Sequence, residues 1–390
     1  MTNVVVVGGG LAAAKAVERL RELGFSDPVT IVAQEKHLPY ERPPLSKDLL
    51  LGKDADPTVW PTGWYDEHDV RLRTGVTAST LDLSSGRVGL DTGEWLPFDR
   101  LLLATGAEPR VPDIPGAERA LYLRTLEDVD GVLAALAPGQ RLAIVGAGWI
   151  GLEVAAAARL REAEVTVLEM AALPLEKVLG ATLARHLADL HLRHGVDLRT
   201  DVTVEEIVLD DDRPVGVRTA DGVVPADHVL VAVGAVPNTS LAEAAGLTVD
   251  DGIVVDEHFT TSDPRVLAIG DVADAYNSAL GTRLRVEHWD NAIRQGRAAA
   301  EVIAGGDAGY DWQPYFYTDQ FEFSMEYVGH GSAEDDVEIR GDLDGDEFIA
   351  YWLDGDRVTA AMNVGIWDVN DRLREIVGTR AGRDDLTDLS

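Results

Sequence analysis

The chain contains no cysteine. That absence excludes disulfides, cysteine-ligated zinc, iron–sulfur clusters held by protein thiolates and Cys-x-x-Cys redox chemistry. Any electron traffic through this protein therefore falls to a bound cofactor. Lysine is scarce as well: of 34 basic residues, 5 are Lys and 29 are Arg. Against them stand 68 Asp and Glu, for a formal net charge of −34. Such a surface disfavours nucleic acid and anionic membranes and keeps the chain in solution. A high-salt setting, where screening relieves self-repulsion, would suit it. No apolar run approaches the roughly 20 residues needed to cross a bilayer. Met1-Thr2-Asn3 leads straight into an apolar strand rather than a basic leader, so a cytoplasmic location is expected.

What is present begins with glycine. Gly8-Gly9-Gly10-Leu11-Ala12-Ala13 follows the run Val4-Val5-Val6-Val7, and Gly146-Ala147-Gly148-Trp149-Ile150-Gly151 follows Leu142-Ala143-Ile144-Val145, 138 residues further on. A single turn of this kind is weak evidence. Two, each between an apolar strand and a helix, predict two dinucleotide sites. Glycines let the backbone approach a pyrophosphate, and a helix N-terminus offers it free N–H groups and positive dipole.

Each turn opens a strand–helix–strand unit. The first reads as strand 3–7, helix 11–23 closed by Gly24, and strand Val29-Thr30-Ile31-Val32, with Glu35 placed to meet an adenosine ribose. The second reads as helix 150–162, strand Val165-Thr166-Val167-Leu168, and Glu169 at the strand end. A carboxylate there accepts bonds from a ribose 2′-hydroxyl and repels a 2′-phosphate. With no Arg or Lys in Met170–Glu176, the pattern favours NAD over NADP. Three further apolar runs stop at small-residue turns: Leu101–Gly106, Val229–Gly234 and Val266–Asp271. At 390 residues, this order fits one nucleotide domain interrupted by another. The inserted one is expected at 112–237, within a first domain of 1–111 and 238–309.

Residues 310–390 change character. Val337–Ile339, Glu347–Trp352 and Arg357–Met362 read as strands joined by hairpin turns at Asp344-Gly345 and Asp354-Gly355. They form an antiparallel meander beside a final helix, with a loose acidic stretch from Gly382 to Ser390. The fold class is α/β: two Rossmann-type domains plus a C-terminal α+β domain. His186, His191 and His194 share a helix of about 181–194 without a carboxylate or thiol to complete a metal site, and no metal is expected. Asp342-x-Asp344-Gly345-Asp346 lacks the spacing of a calcium loop and reads as a turn. In Tyr40–Leu49 the double proline stiffens a helix entry for which Ser46 is a possible cap.

Tyr40–Leu49, Ala104-Thr105-Gly106, Val145–Glu153, Val233–Asn238, Ile269-Gly270-Asp271, Val286–Ala292 and Pro314–Phe321 occur in one order along nearly the whole chain. Together they resemble the FAD-dependent NADH:ferredoxin reductases that serve bacterial cytochrome P450 and ring-hydroxylating dioxygenase systems. That family belongs to a two-dinucleotide flavoprotein group that includes apoptosis-inducing factor. The resemblance implies that FAD is held by Gly8, Gly10, Leu11, Ala12, Glu35, Arg42, Lys47, Ala104, Thr105, Gly106, Arg110, Gly270, Asp271 and Trp289. NAD would be held by Gly146, Gly148, Trp149, Ile150, Gly151, Glu169 and Gly234.

The resemblance also implies catalytic roles for Lys47, Glu153 and Trp289. Lys47 and Glu153 would pair beside the flavin ring and favour its reduced form, and Trp289 would pack against the ring. By the residues alone, Lys47 and Glu153 read as a surface pair, with Glu153 in the first turn of its helix, and Trp289 reads as a core aromatic. Tyr317-Thr318 stands where the family more often has Trp-Ser. Hydride would pass from NADH to FAD and single electrons onward to a small iron–sulfur ferredoxin. Because ferredoxins are usually acidic, Arg283, Arg285, Arg294 and Arg297 are candidate docking cations. Two other readings stay open: an NADH-sensing flavoprotein with slow reduction and a persistent charge-transfer complex, and a flavin monooxygenase.

Overall fold

A run of four valines has no polar face, so it is stable only where both sides of a sheet are covered. In the computed structural model, which describes residues 1–382 and 385–388, Val4–Val7 is the central strand of a five-stranded parallel sheet. The order across it is Val266–Ala268, Arg100–Leu103, Val4–Val7, Val29–Ala33, Val70–Thr74. All four valines are buried. Helices Leu11–Glu22 and Trp289–Ile303 pack tightly on each other beside it. Gly296 makes that approach possible, because a Cβ there would lie 2.5 Å from the Ala12 carbonyl oxygen. An antiparallel sheet of Ala78–Asp82, Arg87–Leu90 and Trp95–Pro97 and a mixed one of Ile253–Val255, Ala273–Asn277 and Thr282–Leu284 complete this unit. It comprises residues 1–41, 56–108 and 236–314.

The second unit comprises residues 42–55, 109–235 and 315–390. Its parallel sheet runs Asp197–Arg199, Glu164–Leu168, Arg141–Val145, His228–Val231. A three-stranded antiparallel sheet, Val204–Asp210, Arg213–Thr219 and Gly222–Pro225, belongs to it as well. The strand–helix–strand plan recurs here, with helix Trp149–Leu160 after the second glycine turn.

Both nucleotide helices end in the same way. In the first, Gly24 takes φ +75°, its N–H bonds to Arg21 and that of Phe25 reaches back to Leu20, each at 3.0 Å. In the second, Glu162 takes φ +67°, with Glu162 N–H to Arg159 and Ala163 N–H to Ala158, again 3.0 Å each. These are Schellman closures that satisfy the last carbonyls of each helix.

The C-terminal region is larger than a three-strand meander. Asp336–Asp342, Glu347–Asp354 and Arg357–Val364 pair antiparallel as expected, with turns at Asp344-Gly345 and Asp354-Gly355. Tyr315–Gln320 and Phe323–Gly329 add two more strands on the Arg357–Val364 edge. Helix Asn370–Ile376 covers one face through Leu373. The stretch after Gly382 is not loose where it is described: Leu386 is buried in the same cluster, and the Tyr351 hydroxyl donates to the Thr387 carbonyl at 2.9 Å. Arg383, Asp384, Leu389 and Ser390 lie outside the described residues.

The histidine helix begins earlier than its sequence signal, at Glu176, and runs to Arg193 through a break at Gly180, whose φ is +75°. Among the described residues no helix is long and apolar enough to cross a membrane.

Candidate functional site

In the first unit the carboxyl ends of the parallel strands meet around one glycine turn. Gly8 holds φ +120°, and a Cβ on it would sit 2.0 Å from the Ala104 carbonyl oxygen. One on Gly9 would strike Ala33 at 2.4 Å, whereas one on Gly10 would meet nothing within 4 Å. The turn is thus pressed against its own sheet on one side and open on the other. The following helix has no side-chain cap, and its first intrahelical bond is Ala14 N–H to Gly10 C=O. The N–H groups of Leu11 and Ala12 are therefore left facing the open side. These features fit a pyrophosphate.

Glu35 lies just past Val29–Ala33 and accepts the Tyr40 hydroxyl at 2.5 Å. The Ala104-Thr105-Gly106 turn is fixed reciprocally: Thr105 Oγ1 donates to the Asn238 carbonyl at 2.8 Å and Asn238 Nδ2 to the Thr105 carbonyl at 2.9 Å. At the next strand end, the Gly270 N–H donates to Gln295 Oε1 at 2.8 Å, with Gln295 fully buried in helix Trp289–Ile303. Asp271 is half-buried, and its carbonyl faces Arg285. Trp289 opens that helix half-buried against the main core. Asn238 and Gln295 escaped the sequence reading of the site because their partners are backbone groups about 133 and 25 residues away.

The second unit repeats the cradle. Gly146 holds φ +100° with a Cβ position 2.5 Å from the Ala232 carbonyl oxygen, and at Gly148 the nearest atom is 3.8 Å away. A Cβ on Gly151 would meet the Gly146 carbonyl at 2.2 Å, so helix and turn are in direct contact. Leu152 N–H to Gly148 C=O is the first intrahelical bond, which leaves the N–H groups of Trp149 and Ile150 without an intrahelical partner. Ile150 is 42% exposed. Glu169 reaches across to this turn: Oε2 accepts Ala147 N–H at 2.6 Å and Oε1 accepts Ala171 N–H at 2.9 Å. A carboxylate has about four acceptor positions, so two remain for a ribose. Gly234 is exposed at φ +99°, and its carbonyl takes the Arg110 N–H at 2.9 Å. The Arg110 side chain is exposed.

The same unit contains a buried ionic cluster. Helix Trp149–Leu160 is almost wholly buried from Gly151 to Ala158, and Glu153 is the lone acid in that run, 5% exposed. It lies in the second turn of the helix, not the first, so no helix-end dipole supports it. Lys47 Nζ meets Oε1 at 2.6 Å, Thr318 Oγ1 donates to the same oxygen at 2.6 Å, and Ser46 Oγ donates to Oε2 at 2.5 Å. The pair is therefore not the surface pair of the residue reading, since the two side chains are 15% and 4% exposed. A buried pair repays its desolvation only with such extra hydrogen bonds.

Lys47 Nζ also lies 5.2 Å from the Tyr317 ring centre. Ser46 ends the short helix Pro43–Ser46 rather than capping one, and its hydroxyl is committed to Glu153. Arg42 donates to the Arg124 carbonyl. One sequence signal could have exposed this cluster: a charge placed where every neighbour on the helix is small and apolar needs partners from elsewhere.

The remaining candidates separate from the site. Arg285 is matched by Asp251 and Glu287, Arg294 by Asp290, and Arg297 by Glu22, while Arg283 donates to the Val255 and Asp274 carbonyls. These arginines form no free basic patch. Among the described residues no His, Asp or Glu group could hold a metal. His186 bonds Asp346 at 2.6 Å, and His194 bonds Glu322 at 2.7 Å and stacks on Phe321. His191 bonds Gln320 at 2.8 Å, and burial pulls its pKa down to about 4.

Comparison with known proteins gives a consistent set. The model for the family described as pyridine nucleotide-disulphide oxidoreductase matches residues 2–296, and that described as reductase C-terminal matches 315–387. Putidaredoxin reductase of Pseudomonas putida is 37% identical, across 93% of this chain and 88% of that protein. The ferredoxin–NAD(+) reductase component of the anthranilate 1,2-dioxygenase system of Burkholderia cepacia is 36% identical, across 93% and 90%. A solved covalent putidaredoxin reductase–putidaredoxin complex superposes with a TM-score of 0.94 at 34% identity, covering 97% of this chain and 93% of that one.

Proposed function

Because the chain belongs to the pyridine nucleotide-disulphide oxidoreductase family, we propose that it is an FAD-dependent NADH:ferredoxin reductase whose carrier feeds a P450 or ring-hydroxylating dioxygenase. The observation that carries this reading is the missing thiol. The family name points to disulphide chemistry, yet this chain has 0 cysteines, so electrons have no protein thiol to rest on and leave for an external acceptor. Relatives named as reductases of putidaredoxin and of a dioxygenase system support the acceptor class. When bound, FAD supplies the conversion of a two-electron hydride from NADH into single electrons suited to an iron–sulfur carrier. The cytoplasm, where NADH is supplied, is the compartment this reading implies.

The residues divide the work. In the first domain, 1–111 with 238–309, Gly8 and Gly10 admit the FAD pyrophosphate to the N–H groups of Leu11 and Ala12. Glu35 would accept the ribose, and Ala104–Gly106, Gly270, Asp271 and Trp289 would line the rest, together with Arg42 and Arg110. In the second, 112–237, Gly146, Gly148 and Gly151 admit NADH to the N–H groups of Trp149 and Ile150. Glu169 accepts its ribose hydroxyls, and Gly234 leaves room for the chain. Lys47, paired with Glu153, would supply positive charge to the flavin.

The test is NADH-driven reduction of cytochrome c with and without an iron–sulfur ferredoxin, followed by stopped-flow flavin reduction in Lys47→Met. Strong stimulation by ferredoxin, and at least about tenfold slower flavin reduction in the variant, are expected, each tenfold being about 1.4 kcal/mol of barrier. Slow reduction with a persistent long-wavelength charge-transfer band and no ferredoxin effect would instead mark a sensor. NADH use tied to oxygen insertion would mark a monooxygenase.

A further inference from the structure

The Glu153 cluster does not stop at Thr318. Gln320 Nε2 lies 3.2 Å from Thr318 Oγ1, and Gln320 Oε1 lies 2.8 Å from His191 Nε2. Thr318 and Gln320 are each 1% exposed and His191 0%, so water does not compete for these bonds. We propose that Thr318, Gln320 and His191 form a one-way chain of donors that positions the Glu153 carboxylate for its partner Lys47. The idea rests on the reading of Lys47 given above only for its effect on the flavin.

The direction follows from donor chemistry. A carboxylate paired with an ammonium is an acceptor only, so the Thr318 hydroxyl spends its single proton on Glu153 Oε1. Its oxygen is then free to accept, and the Gln320 amide nitrogen, a donor only, faces it. That turns the amide oxygen toward His191, whose Nε2 must carry the proton. Among the described residues His191 Nδ1 is buried with no hydrogen-bond partner, which suits a neutral ring with its proton on Nε2 and no N–H left unpaired.

Every bond therefore points toward the same carboxylate, and aligned bonds in a dry interior strengthen one another. The cost is three buried polar side chains where apolar ones would pack as well. A purely mechanical tie would not demand it, because His186 and His194 already join this helix to the C-terminal region at Asp346 and Glu322.

The experiment uses flavin-loaded full-length protein labelled with ¹⁵N-histidine, the His191 signal being assigned by its loss in His191→Phe. The expected spectrum shows neutral His191 protonated on Nε2. Thr318→Val and Glu153→Gln should shift that signal, and Thr318→Ser, which keeps the hydroxyl, should not. In parallel, the flavin midpoint potential should become more negative in Thr318→Val and in His191→Phe and stay put in Thr318→Ser. In the Thr318→Val background, His191→Phe should add no further shift, because the chain is already cut.

Should His191→Phe fail to fold, Gln320→Leu makes the same break. A proton on Nδ1, or equal shifts from His191→Phe in both backgrounds, overturns the proposal. If neither Lys47→Met nor Thr318→Val moves the potential while the His191 signal still answers to Glu153→Gln and Thr318→Val, the chain stands and the role of Lys47 falls.

Discussion

Glu169 has two oxygens and two backbone bonds before any ligand arrives, to Ala147 and Ala171. It thus stiffens the second glycine turn while keeping acceptor capacity for a ribose. Glu169→Ala should therefore do two things at once. It should weaken NADH about tenfold, the loss expected for a charge-assisted bond of about 1.5 kcal/mol or more. It should also narrow the preference for NADH over NADPH, because the repelling carboxylate is gone. Titration of flavin reduction against both nucleotides reads both effects, and an unchanged NADH/NADPH ratio would remove Glu169 from specificity. Residues of this kind were legible in the sequence because strand, turn and acid lie within one short segment. Glu153 was legible only by resemblance: Ser46, Lys47 and Thr318 come from segments over 100 residues away, and spacing carries no trace of them.

Elements repeat their local logic, with one difference between the two nucleotide helices. The first closes on Gly24, the second on Glu162 in the same left-handed conformation. A side chain there costs about 1 kcal/mol or more, offset in part by the chain entropy glycine would lose. Glu162→Gly should therefore raise stability by up to about 1 kcal/mol, seen as a higher urea midpoint at unchanged slope. A lower midpoint would mean that the Glu162 side chain makes a compensating contact.

The apolar central parallel strands were easy to find in runs such as Val4–Val7 and Leu101–Leu103, whereas the edge strands Val70–Thr74 and Asp197–Arg199, which carry charged residues, were missed. Tyr315–Gln320 and Phe323–Gly329 were missed as strands. In Tyr315–Gln320 the alternation is blurred by buried Thr318 and Gln320, polar residues kept inward by the Glu153 cluster. Ser46 was misread for a related reason: a serine beside a helix suggests a cap until its distant partner is known.

At the scale of the whole molecule, 68 acidic side chains face 34 basic ones, and many surface arginines are already matched. The uncompensated remainder is self-repulsion, which salt screens as the Debye length falls from about 10 Å at 0.1 M to 3 Å at 1 M. The melting temperature should therefore rise from low ionic strength to molar KCl, despite the weakening of surface ion pairs worth under about 1 kcal/mol each. A flat profile in calorimetry would show that the charge excess costs the fold nothing.

The two units share one turn design, yet they are not interchangeable parts. The first carries Ala13 where the second carries Gly151, and there a methyl would stand 2.2 Å from the Gly146 carbonyl oxygen. Transplanting the second turn into the first brings the Ala147 methyl to Gly9, where it would strike Ala33 at 2.4 Å; the reciprocal graft collides with its own peptide. The likeness between the halves thus stops at the backbone, and a chimera built on their symmetry would clash either way round.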